Sequence, residues 1–159
     1  MASVNCIVVG GGGWTARGSA FPANQNDGDN GTYQGWPGDT PGSNDNYYDN
    51  TQIPDSAVIS SVSVSGEWGA GSGAATANYT CHLGGNTTNL GTIGDVTGYG
   101  AGIAHPGGGN WTKADVGSMF IRWTSLSTGN GNEMKLKSSV LTVYYTLPAT
   151  NLASVIEYM

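Results

Sequence analysis

Glycine sets the first limit on what this chain can become. It occupies 27 of 159 positions, scattered among many Asn, Ser and Thr, so few windows remain in which three turns of helix run without a breaker. Each interior glycine weakens a helix by about 1 kcal/mol relative to alanine. Short strands joined by turns tolerate that composition far better. The length suits one domain with a core of its own. Five Trp and eight Tyr supply anchors for that core and separate the chain from a disordered one.

Charge narrows the partners. The formal net charge is −6, and no Lys or Arg stands between Arg17 and Lys113, whereas Asp27, Asp29, Asp39, Asp45, Asp49, Asp55, Glu67 and Asp95 all do. A surface of that sign repels phosphate, so neither a nucleic-acid partner nor an anionic membrane surface is expected. No apolar run approaches the roughly 20 residues of a spanning helix. Val4 to Val9 is also too short for a signal peptide and lacks a basic flank, which predicts a product made in the cytoplasm.

Strands announce themselves by alternation. Ser3 to Val9 has the β-branched density of one strand and stops at Gly10 to Gly13. From Trp14 to Gln52 the chain turns to Gly, Asn, Asp, Pro and isolated aromatics. A structureless loop of that length does not suit a compact domain, so short strands are expected around Gly31 to Trp36 and Tyr47 to Asp49. Ser56 to Ser65 places Val58, Val62 and Val64 on one face and Ser61, Ser63 and Ser65 on the other. Ala75, Ala77, Tyr79 and Cys81 share a second apolar face, closed by a turn at Gly84 to Asn86, with a further strand starting within Asn89 to Ile93.

Thr112 followed three residues later by Asp115 has capping-box spacing, which predicts a single helical turn feeding a strand. In that strand Met119, Ile121 and Trp123 point inward, alternating with Phe120, Arg122 and Thr124. Thr128 to Asn132 reads as a hairpin loop returning into Glu133 to Thr146. There Met134 and Leu136 face inward, and so do Leu141, Val143 and Tyr145, a slip of parity that predicts a β-bulge at Ser138-Ser139. Cys6 and Cys81 sit in buried-strand runs, where small buried thiols are a simpler reading than a disulfide. Behind Pro148, Leu152, Val155, Ile156 and Met159 lie at helical spacing on a segment too short to be stable alone.

Four stretches stand out together: the acidic loop Asn26 to Tyr33, the Ile53-Pro54-x-x-Ala57-x-Ile59-x-x-Val62-x-Val64 strand, the Gly109-x-Trp111-Thr112-x-x-Asp115-Val116 turn, and the closing Val143-Tyr144-Tyr145. In order and spacing they resemble a jelly-roll β-sandwich module of tailed-phage virion proteins. The resemblance spans residues 26 to 146 and leaves out the glycine run at 10 to 13. It implies an all-β antiparallel sandwich with long Gly/Asn-rich loops in a non-catalytic accessory protein of the virion: a head-decoration protein, a head fibre or a tail appendage. Similar modules occur in surface adhesins, so fold alone does not settle the role.

The residues themselves offer little chemistry. His82 sits on the polar side of a strand and His105 precedes Pro106 in a glycine loop, neither with a nucleophile motif or zinc-site spacing. The glycines at 10 to 13 and 107 to 109 lack the Lys-Ser/Thr of a phosphate loop. Asp27, Asp29 and Asn30 offer oxygens for a calcium ion around Gly28, or form a solvated turn; the 12-residue EF-hand pattern is absent. Trp14, Trp36 and Trp68 suit either a sugar-stacking platform or, more simply, core and intersubunit packing.

The expectation is therefore a single sandwich over residues 1–146, with loop-rich 14–52 inside it and a C-terminal arm over 147–159. Its function is expected to be capsid decoration, binding the major capsid protein or another virion protein and its own copies through Leu147, Leu152, Val155, Ile156 and Met159. The rival is a receptor- or carbohydrate-binding module of a tail fibre or adhesin.

Overall fold

The computed structural model describes residues 1–13, 15–17, 33–37, 42–70, 76–94, 98–127 and 133–149. Within them the strands are β1 (Ala2–Cys6), β2 (Val8–Gly12), β3 (Thr15–Arg17), β4 (Tyr33–Pro37), β5 (Ser43–Tyr48), β6 (Val58–Ala70), β7 (Thr76–Leu83), β8 (Asn86–Ile93), β9 (Tyr99–Ile103), β10 (Phe120–Ser127) and β11 (Glu133–Thr146). One helix, α1 (Lys113–Ser118), precedes β10. The strands form two antiparallel sheets. The first runs β3-β4-β11-β6-β9, with β1 also paired to β11, and the second runs β2-β5-β10-β7-β8.

The sheets face each other across an aromatic core. Trp123 of β10 stacks on Tyr79 with ring centroids 5.0 Å apart, lies 6.1 Å from Trp68 of the opposite sheet, and meets the edge of Tyr99 at 4.7 Å. Val62, Val64, Leu136, Leu141 and Val143 from the first sheet pack against Ala77, Cys81, Met119 and Ile121 from the second side. Trp68 and Trp123 are wholly buried, and burying a large apolar side chain stabilises the fold by about 1.5–3 kcal/mol. The inward assignments of Met119, Ile121 and Trp123, and of Ala77, Tyr79 and Cys81, agree with the alternation. Ala75 lies outside the described residues.

The parity slip near Ser138-Ser139 is present. Leu136 pairs with Trp68 and Ser138 with Glu67, which leaves Lys137 as the extra residue of a bulge. Burial then passes from Leu136 to Ser139, Leu141 and Val143, and Tyr145 packs partly against the core.

Three expectations need correction. The single strand Ser3 to Val9 is two strands, because the chain changes sheets at Ile7: Cys6 pairs with Leu141, and Val8 with Tyr48. Ile7 is 44% exposed at the crossing, and its carbonyl accepts a hydrogen bond from the Asp49 N–H at 2.9 Å. Val58 is exposed rather than inward, and Ile59 takes the buried place. Consecutive Tyr144 and Tyr145 pair with Ser61 and Ile59, so Ser60 is the bulged residue that flips the parity. Finally, β10 and β11 are not a hairpin. They are the middle strands of opposite sheets, so the connection across 128–132, itself outside the described residues, joins two layers.

The strand also does not stop at the glycine run as expected. The run continues β2 as an edge strand pressed against β5, where Gly11 (φ 119°) and Gly13 (φ 133°) adopt backbone that other residues avoid. A Cβ on Gly11 would lie 1.8 Å from the Asp45 carbonyl oxygen.

Candidate functional site

Two clusters of polar and aromatic side chains stand out on this frame: the outer face of the second sheet, and the corner around α1.

On the outer face, register places residues from distant parts of the chain side by side. Gly10, Tyr47, Phe120, His82 and Thr87 form one row across all five strands. Gly12, Asp45, Arg122, Thr80 and Asn89 form the next, and Ser43, Thr124, Asn78 and Thr92 a third. Phe120 is held between neighbours. The His82 ring stacks on it at 4.7 Å with 1° between planes, Tyr47 lies at 5.1 Å on its other side, and the Arg122 guanidinium sits 5.3 Å from its centroid.

Arg122 donates from Nε and Nη2 to the two oxygens of Asp45, each at 2.7 Å, a bidentate pair. Those bonds raise the guanidinium pKa further above its ordinary value. Both nitrogens of His82 are engaged, Nε2 with the Thr80 hydroxyl at 2.9 Å and Nδ1 with the Thr87 hydroxyl at 3.1 Å. Burial first, then the Arg122 charge, lower the His82 pKa, while Asp45 opposes them. The imidazole is thereby neutral at pH 7.

The α1 corner is a brace. The Thr112 hydroxyl accepts from the Asp115 N–H at 3.1 Å, and the Thr112 N–H donates to Asp115 Oδ2 at 2.9 Å, completing the capping box seen in the spacing. Trp111 is 8% exposed and donates its Nε1 proton to the Ile103 carbonyl at 3.2 Å. The His105 ring meets Trp111 edge-on at 4.8 Å, accepts from the Gly107 N–H at Nδ1, and brings Nε2 to 3.6 Å from Asp115 Oδ2. Hydrogen bonds from Thr112 are the main reason that the Asp115 carboxyl titrates below its ordinary range, with His105 adding to them. Lys113 reaches Asp55 at 2.7 Å, and Asn50 donates to the Lys113 carbonyl at 2.9 Å. The corner ties the β5–β6 and β9–α1 connections to α1, and its polar groups are spent on one another.

Of the candidate site residues singled out in the sequence, only Trp68 and Leu147 have described side chains. Trp68 is wholly buried against Trp123, so it is a core residue and neither a ligand platform nor an interface aromatic. Its register partner across β11 is Leu136, which is likewise wholly buried, so both side chains share the inward face. Trp36 lies on β4 opposite Met134, with its side chain outside the described residues. Trp14, the calcium candidates Asp27, Asp29 and Asn30, and Leu152, Val155, Ile156 and Met159 also lie outside them. Leu147 is described and is 57% exposed. Among the described residues no group of three His, Cys, Asp or Glu side chains is placed to hold a metal ion, and no pocket opens.

Cys6 and Cys81 are buried free thiols. Burial raises their pKa values to about 11 and about 12, so both are un-ionised at neutral pH and poor nucleophiles. Sequence reading missed the Tyr47, Phe120, His82, Asp45 and Arg122 group. One signal was there: Arg122, one of five basic residues, shares outward parity with Phe120. Compared with known proteins, the chain matches no family model and no curated sequence.

Proposed function

We propose that the chain is a jelly roll that works by binding, as an accessory structural protein of a viral particle that decorates the capsid and contacts both the shell and its own copies. Strand order supports the fold. With β2, β3 and β4 set aside as additions, β1-β11-β6-β9 faces β5-β10-β7-β8. Numbered along the chain, these eight strands read 1-8-3-6 and 2-7-4-5, the order that two nested Greek keys produce.

The observation that carries the binding role is an apolar patch at one end of the first sheet. Val58 faces Thr146 across β6 and β11, and Ala2 faces Tyr145 across β1 and β11, so Met1, Val58, Tyr144 and Leu147 gather where β11 ends. They are 88%, 60%, 36% and 57% exposed. Apolar surface concentrated where the chain leaves the sandwich suits a docking contact. Leu152, Val155, Ile156 and Met159 follow within a few residues in sequence and extend the same apolar character.

Deleting residues 149–159 tests this reading. The expected product is a folded monomer that no longer binds capsids stripped of the protein, measured by sedimentation velocity and co-sedimentation. A truncated chain that keeps its oligomeric mass and capsid binding, and loses only thermal stability, makes the tail an intramolecular brace instead. The second reading, a receptor- or carbohydrate-binding module, draws its support from the exposed row on the outer face of the second sheet.

A further inference from the structure

We propose that the outer face of the second sheet binds a neutral saccharide, with the sugar's C–H face on Tyr47 and a pair of its hydroxyls on Arg122 and Asp45. This deepens the carbohydrate reading and does not depend on capsid docking.

Tyr47 packs at a tilt against Phe120, which is itself stacked on His82, so the phenol is braced and still partly exposed. Its cross-strand neighbour on β2 is Gly10, which has no side chain to cover it; a Cβ there would lie 4.0 Å from the Tyr47 Cβ. Tyr47 is 38% exposed as a result. A preset, half-open aromatic face suits the apolar face of a pyranose.

Charge selects among ligands. Arg122 uses two of its five N–H donors on Asp45, and each Asp45 oxygen keeps a lone pair to spare. The pair sums to zero charge, so an anion meets Asp45 and a chain of net charge −6, and a cation meets Arg122. A vicinal diol, which both donates and accepts, satisfies donors and acceptors at once. Arg122 is two residues along β10 from Phe120, a rise of about 7 Å, which one sugar ring and its hydroxyls can span. The neighbouring row of Ser43, Thr124, Asn78 and Thr92 extends the face in neutral hydroxyls and amides.

The test uses the full chain on an array of neutral, sialylated and sulfated oligosaccharides, followed by titration calorimetry with the best neutral binder. Three variants accompany it: Tyr47→Ala, Arg122→Gln and Gly10→Val. The last removes nothing from the site and adds a side chain next to Tyr47, at a glycine whose φ is not in the left-handed region. The expected result is binding to neutral glycans, weakened at least about tenfold in each variant, with Gly10→Val keeping its melting temperature. Failure of the native chain to bind any glycan overturns both this site and the carbohydrate reading. Binding restricted to acidic glycans, or Gly10→Val binding as tightly as the native chain, overturns the site alone. A fall in oligomeric mass in Gly10→Val without glycan binding makes the face a contact between copies and also overturns it.

Discussion

Val58 and Ile59 are adjacent, both apolar and oppositely placed, so a matched pair of substitutions tests the bulge at Ser60 directly. Ile59 is 6% exposed and Val58 60%. Ile59→Asp loses about 1.5–3 kcal/mol of side-chain burial. The new carboxyl avoids burying a charge by staying protonated. Lifting its pKa from about 3.9 to beyond 7 costs on the order of 4 kcal/mol, at 1.36 kcal/mol per unit. The sum, roughly 6 kcal/mol, is comparable with the whole stability of a domain, about 5–15 kcal/mol. At about 2–4 °C per kcal/mol for a chain of this size, the melting temperature should fall by some 12–24 °C, or the protein should fail to accumulate in soluble form. Val58→Asp places its carboxylate in water and should change stability by no more than about 0.5 kcal/mol. Thermal unfolding followed by circular dichroism reads both. If Val58→Asp destabilises as much as Ile59→Asp, the register between β6 and β11 is wrong, and so is the reasoning from it.

Two further outcomes are expected. At the α1 corner Trp111→Ala should cost about 3–5 kcal/mol, since it empties a buried site and strips the Ile103 carbonyl of its donor, whereas Thr112→Ala should cost about 1 kcal/mol as a lost cap; urea midpoints for the two that are equal and near the native value would show the corner to be no brace. His82 has a folded pKa below its ordinary 6.5, so the unfolded chain takes up the proton first; its contribution to stability is full above pH 6.5 and is lost as pH falls through the folded value. His82→Gln should therefore flatten the melting-temperature profile just below pH 6.5, and an unaltered profile would place the acid sensitivity elsewhere.

What the sequence determined by itself was whatever depends on neighbours along the chain. Alternation at Ala77, Tyr79 and Cys81, and at Met119, Ile121 and Trp123, follows from side chains that leave a strand on alternate faces, so apolar parity reads as burial. The Thr112–Asp115 cap is a contact three residues apart, and the bulge near Ser138 shows as a change of parity within one strand. Only the tertiary structure decided which strands are partners. Trp123 and Leu136 point into the same core from opposite sheets, and a connection of a few residues is compatible with either a hairpin or a change of layer. Val58 and Ile59 are equally apolar, and pairing with Tyr144 and Tyr145 chose between them. Gly10 to Gly13 reads in the sequence as the end of a strand, but its use, close approach of an edge strand to β5 beside Tyr47, exists only once that strand is in place. The row of Tyr47, Phe120 and His82 comes from three segments that a one-residue slip in any register would point away from one another, because a shift of one residue turns a strand's side chains to the opposite face.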